Sequence, residues 1–250
     1  MSYAILQVDI APSVDQLKRA FKSLKSFTEA DVVKLAREAC GILVKNISLA
    51  EGSSLQRALE GEGVPTELVE AKLLPSLPAA KFVRRMDFQT HALLVYDPIG
   101  RPVPVPWQHL LLLSAGAVRH FDVSATRTQE VVNSFDPIRG FHSKLVTDVR
   151  HKVEDDARLL LDIFLTGGAM RFQVEVEGFL FKYCFDRPEL NVAQKLGLLI
   201  QMLCQHAPQA TVNRGAAALR EGSLANATYA SKAALFDEST WLLWRLARNR

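Results

Sequence analysis

Three cysteines, six histidines and one aspartate set among apolar residues are the groups in this chain that could carry chemistry. A nucleophilic thiol needs its pKa drawn down. Cys40 closes a predicted helix just before Gly41, where the helix dipole presents negative potential and raises a thiol instead. It reads as a packing residue. Cys204 and His206 stand two apart on one helix, so their side chains diverge, and a tight metal site needs three or four converging ligands. His91, His109, His120, His142 and His151 show neither H-x-H nor H-E-x-x-H spacing and read as dispersed strand and surface residues. Glu154, Asp155 and Asp156 read as a solvated turn. Asp162 lies among apolar residues and is expected to be buried beside an arginine, a structural arrangement more often than a catalytic one. Gly167-Gly168 lacks the length and the lysine of a phosphate loop. Lys18, Arg19, Lys22 and Lys25 have no interleaved aromatics, so a solvated helix face is expected and not a platform for single-stranded nucleic acid. No catalytic residue, metal or cofactor follows from these patterns.

The totals narrow the classes further. The 250 residues carry 30 basic and 27 acidic side chains, and 48% are hydrophobic, which is ordinary globular composition. The last sixty residues hold seven of the basic groups and three of the acidic ones. That excess is too thin for a phosphate-tracking surface, so nucleic acid is not an expected partner. The amino terminus lacks a basic leader with an apolar core, and no run approaches the roughly 18 apolar residues of a membrane span. Unpaired, scattered cysteines suit a reducing cytoplasm.

The elements that must position these groups fall into two patterns. Tyr3–Val8 reads as a strand. Ser13 or Pro12 opens one helix and Thr28 a second, and Gly41 ends the second in the left-handed conformation. Ile42–Ile47 is a strand, Ser48 with Glu51 forms a capping box for a helix over Leu49–Leu59, and Thr66–Leu74 is a further strand. This β-α-α-β-α-β order predicts an α+β unit over residues 1–80, closed by Pro75 and Pro78, with PSLPAAKFVRRMDF as a linker or docking strand. From residue 91, short strands dominate. Ala92–Tyr96 and Arg101–Trp107 flank a turn in which Gly100 takes a positive φ, and the prolines at 102, 104 and 106 put the second strand on a sheet edge. His109–Leu113 and Ala117–Phe121 read as strands joined by a turn at Ser114-Ala115-Gly116. Residues 123–142 read as a long irregular connection, and Lys144–Val153 as a strand. Arg158–Leu165 and Met170–Glu177 flank a Gly-Gly hairpin, and the alternation in the second arm predicts one buried and one solvated face. Phe179–Phe185 is a last strand, Asn191–His206 a long amphipathic helix, and Asp237 the cap of a final helix carrying Trp241, Leu242, Trp244 and Leu246.

The order of elements over residues 91–206 resembles the pleckstrin-homology-like (PH or GRAM) barrel, whose bent strands are plugged by a carboxy-terminal helix. The resemblance implies a mostly antiparallel barrel over 81–208 and a helical extension over 209–250 packed on the body. Gly100, Trp107, Gly116 and the run Trp241-Leu242-Leu243-Trp244 also resemble uncharacterised bacterial proteins, and no function comes with that likeness.

The expectation is therefore a cytoplasmic, non-catalytic binding or regulatory protein whose partner is another protein. The binding surface would be the proline strand (Val103, Val105, Trp107), open to strand addition, or the 123–142 segment (Arg127, Phe135, Arg139). Two alternatives stand beside it. One is an enzyme assembled from separate strands by His120, His142, Asp162 and Cys184. The other is attachment to a membrane surface through the basic, aromatic last helix, although its apolar residues wrap most of the way round, which favours burial.

Overall fold

The computed structural model describes residues 1–8, 12–22, 28–136, 140–168 and 170–249, and within 120–156 the backbone alone. The chain is mixed helix and sheet. Strand β1 (Tyr3–Gln7) leads to α1 (Val14–Phe21), α2 (Glu29–Glu38), β2 (Ile42–Ile47), α3 (Leu49–Gly61) and β3 (Thr66–Glu70). Each of the three helices opens on a capping box: Ser13 with Gln16, Thr28 with Asp31, and Ser48 with Glu51. The strands form an antiparallel sheet in the order β2-β1-β3. Leu17, Phe21, Val32, Leu55 and Leu59 pack with Ile5, Val44 and Ile47 as its core. Past Glu70 the chain makes a 3₁₀ turn, Ala71–Leu73, so the expected strand to Leu74 stops short.

The predicted linker contains β4 (Ala80–Phe82) and β5 (Met86–Phe88). There follow β6 (Ala92–Tyr96), β7 (Pro102–Pro106), β8 (Leu110–Asp136), β9 (Gly140–Leu165) and β10 (Arg171–Glu175). Then come α4 (Val192–His206), β11 (Thr211–Val212), α5 (Arg214–Arg220), β12 (Thr228–Tyr229) and α6 (Lys232–Arg248). Strands β5, β6 and β7 make one small sheet with β7 at its edge. The large sheet runs β11-β8-β9-β10-β4, with β12 also paired to β8. One face of the large sheet, the β5–β7 sheet and helices α4 and α5 enclose the main core, including Met86, Leu93, Trp107, Leu161, Phe172, Leu196 and Leu203. Residues Met1–Val118 and Arg158–Arg250 form one compact unit, and Arg119–Ala157, the adjoining stretches of β8 and β9, form another.

The Gly-Gly hairpin is as expected: Gly167 and Gly168 both have positive φ, and β9 pairs with β10 in the register Phe172–Ile163 and Val174–Leu161. Asn191 caps α4. Other expectations are corrected. Among the described residues no closed barrel forms; the strands divide among three open sheets. Ser114-Ala115-Gly116 is the middle of β8 and not a turn. Gly116 is small because the ring of Tyr229 lies where a side chain would stand: a Cβ there would fall 2.4 Å from Tyr229 Cε2. The backbone of 123–136 and 140–142 is strand and not irregular connection. Phe179–Phe185 holds a 3₁₀ turn, Phe181–Tyr183, in place of a strand. Both faces of β10 are covered, so Arg171 and Gln173 are buried where solvent was expected. Helix α6 starts at Lys232 under a Ser231 cap, five residues before the expected Asp237, whose carboxylate instead pairs with Lys45. Trp241 packs on Ala4, Leu6, Ile42 and Val69 and donates its Nε1–H to the Gln7 carbonyl at 2.9 Å. That aromatic is therefore committed to the protein's own first sheet.

Candidate functional site

The backbone of β4 is satisfied on one side only. It runs parallel to β10 with Lys81 opposite Phe172, and Val83 N–H donates to the Gln173 carbonyl at 2.9 Å. In a parallel ladder both polar groups of alternate residues turn to the same neighbour. Lys81 and Val83 therefore face β10, and the N–H and C=O of Ala80 and Phe82 face outward, with no backbone partner among the described residues. Val83 is buried, whereas Phe82 is 59% exposed at the rim. This edge carries two donors and two acceptors.

Beside it opens a cleft whose other wall is the β6–β7 hairpin. Its apolar part, about 390 Å³, is lined by Val83, Val95, Val103, Met170 and Phe172, with Lys81 and Phe82 at the β4 side. A polar part of about 440 Å³ adjoins it, sharing Phe82, Tyr96, Asp97 and Pro98 and adding Arg84, Arg85 and Gly100. The hairpin wall is held from within. Asp97 accepts from the Ile99 and Arg101 amides at 3.0 and 2.8 Å and from Arg101 Nε at 2.8 Å, which keeps its carboxyl below the usual range. Gly100 takes φ +87° to close the turn. The Arg85 guanidinium lies between the Tyr96 and Tyr183 rings, 3.9 and 4.0 Å from their centroids, and bonds Asp87 at 2.8 Å. Tyr96 donates its hydroxyl to the same carboxylate at 2.7 Å. A mostly apolar cleft with a few fixed polar groups is the usual form of a binding site.

The proline strand behaves differently from β4. Asp97 N–H donates to the Arg101 carbonyl, and the register pairs Val95 with Val103 and Leu93 with Val105. Antiparallel pairs alternate in type, so the valines turn their N–H groups inward to β6 while Pro102, Pro104 and Pro106 turn outward. The free edge of β7 is thus a row of carbonyls with no N–H, and an added strand could form only half a ladder there. Of the side chains expected to meet a partner, Val103 is exposed at the cleft. Val105 and Trp107 are buried: Trp107 stacks on His206 at 4.6 Å and donates Nε1–H to the Gln89 carbonyl at 3.0 Å. These two side chains belong to the core. Arg127 and Phe135 belong to β8, where the backbone alone is described, and Arg139 lies outside the described residues.

Of the expected alternative catalytic set, only Asp162 and Cys184 have described side chains; those of His120 and His142 lie outside the described residues. Asp162 accepts from Gln173 Nε2 at 2.8 Å, while Cys184 donates to the Met86 carbonyl at 3.3 Å, and the two share no partner. Burial pushes the thiols of Cys40 and Cys184 up to about 12, the opposite of activation. Among the described residues no three His, Cys, Asp or Glu side chains group to hold a metal, and no helix is long and apolar enough to cross a membrane.

A buried polar cluster escapes sequence reasoning altogether. Asn213 Oδ1 accepts from the Ala115 and Ala216 amides at 2.9 and 2.8 Å. Its Nδ2 donates to the Ala115 carbonyl at 3.0 Å and to the Tyr229 hydroxyl at 2.9 Å. Tyr229 donates to Glu238, which also accepts from the Arg214 amide at 3.0 Å. Burial, then the neighbouring Glu238, raises the Tyr229 phenol. The Arg214 guanidinium lies 4.8 Å from the Tyr229 ring centre. The buried side chains spend their bonds on one another and on the backbone of β8 and α5, so the cluster joins β8, α5, β12 and α6. No family model, curated protein or solved structure matches the chain.

Proposed function

We propose that the chain is a non-catalytic binding protein that takes an extended segment of another protein as an extra strand on β4. The observation that carries this reading is the pair of outward-facing residues, Ala80 and Phe82, with unpaired backbone groups beside an apolar cleft. An added strand would make four hydrogen bonds, each with a net worth of about 0.5–1.5 kcal/mol. Its side chains alternate between the cleft and the Phe82 side, and one apolar side chain in the cleft adds about 1.5–3 kcal/mol. After the cost of ordering the segment, the Kd is on the order of 0.1 mM, that of a transient regulatory contact. The short β4, one exposed phenylalanine and the flanking cations agree with an edge kept from indiscriminate pairing. Strands β5 to β10 followed by α4 keep the element order of the PH-like resemblance, and that relationship is proposed on order alone.

A nine-residue peptide with a central threonine–valine–threonine–valine–threonine segment and two glutamines at each end tests the reading by fluorescence anisotropy with the full chain. Saturable binding is expected. Ala80→Pro with Phe82→Pro removes both outward donors without touching the β10 ladder, because neither N–H points that way, and is expected to abolish binding. No binding by the parent chain, or binding undiminished in the folded double-proline variant, overturns the proposal.

A further inference from the structure

Resting on that strand-addition reading, we infer that the segment taken by β4 is acidic. The charges around the cleft are unequal in their commitments. The carboxylate on its walls, Asp97, is already neutralised by Arg101 and two backbone amides, and the wall cation Arg85 is taken by Asp87, which also accepts from the Tyr96 hydroxyl. Lys81 and Arg84 line the same cleft, are exposed, and have no ion-pair partner among the described residues. Lys81 belongs to β4 itself, between the two outward-facing residues and opposite Phe172, and lines the apolar cleft. Arg84 follows two residues after Phe82. A strand laid along Ala80 and Phe82 thus runs beside the apolar cleft with Lys81 at the middle of the four-bond ladder and Arg84 beyond its Phe82 end. An acidic segment meets attraction from both cations, a basic one repulsion, and the asymmetry also disfavours pairing with basic strand edges.

Three peptides of the kind described, differing only in whether the flanks are glutamine, glutamate or lysine, separate this inference from the reading beneath it. With the full chain at low ionic strength, the glutamate-flanked peptide is expected to bind about tenfold tighter than the lysine-flanked one, the size of two exposed ion pairs. The preference is expected to shrink as salt is raised to about 1 M, where the Debye length falls to roughly 3 Å. It is expected to reverse in Lys81→Glu/Arg84→Glu, whose fold is checked by circular dichroism. Equal Kd values for the three peptides, or a preference unmoved by the charge-reversal pair, overturn the acidic preference and leave strand addition standing. Failure of all three peptides to bind overturns strand addition and this inference together.

Discussion

Asn213→Ala is expected to cost about 4–6 kcal/mol of folding stability, read as a fall in the denaturant midpoint of the full chain. Asn213 is 1% exposed and serves two backbone groups of β8 at once, the N–H and the C=O of Ala115, itself fully buried. Alanine leaves both unpaired, along with the partner it supplied to the Tyr229 hydroxyl, and each orphaned buried group costs about 1–3 kcal/mol. It also removes the cap of the seven-residue helix α5, worth about 1 kcal/mol. Tyr229→Phe, which keeps the ring and loses the hydroxyl, is expected to cost a comparable amount, because Asn213 Nδ2, the Gly215 amide and the buried Glu238 carboxylate each lose a partner. A loss below about 1.5 kcal/mol for Asn213→Ala would show that the cluster does not hold β8 to the helices.

Asp162→Ala is expected to cost about 3–5 kcal/mol, while Asp162→Leu combined with Arg171→Met is expected to be neutral or stabilising. Asp162 is fully buried between Gln173 at 2.8 Å and Arg171 Nε at 3.8 Å, a distance that gives attraction without a hydrogen bond. Asp162 Oδ2 and Arg171 Nε and Nη1 have no hydrogen-bond partner, so the pair is costly to bury and more costly to break. Burial pushes the Asp162 carboxyl up to about 6, against the pull of Arg171, Gln173 and Lys232. The folded state therefore holds this proton more tightly than the unfolded chain. Its contribution to stability is fully present below about pH 4 and is lost as the pH rises through about 6, some 3 kcal/mol in all. Asp162→Asn is expected to remove that slope, measured as the unfolding free energy between pH 4 and 7. A double-mutant cycle that is additive within about 0.5 kcal/mol would contradict the pairing.

Local chemistry in the sequence marks most element ends correctly. The Thr28 cap, the capping box at Ser48 and the Gly167-Gly168 turn are short-range signals, and each element stands where its signal puts it. The errors come where distant residues decide. Ser114-Ala115-Gly116 has the composition of a turn, yet Gly116 is fixed by Tyr229, 113 positions away, and β8 runs straight through. Asn213, Tyr229 and Glu238 have no diagnostic spacing, because their meeting depends on how α5, β12 and α6 lie against β8. The prolines of β7 do announce an edge, but only the register with β6 shows that they turn outward and leave that edge without donors. The vacant edge of β4 is hidden for the same reason. Its existence depends on parallel pairing with β10, some ninety residues later, and no local pattern around Ala80 records it.

Amide hydrogen exchange of the full chain, followed residue by residue with and without a saturating concentration of the glutamate-flanked peptide, tests the central claim most directly. The Ala80 and Phe82 amides are expected to exchange freely in the unbound chain and to become protected in the complex, while Val103 and Val105, already bonded to β6, are expected to stay unchanged. Protection confined to other segments, or none at Ala80 and Phe82 once the peptide is bound, would contradict binding by strand addition at β4.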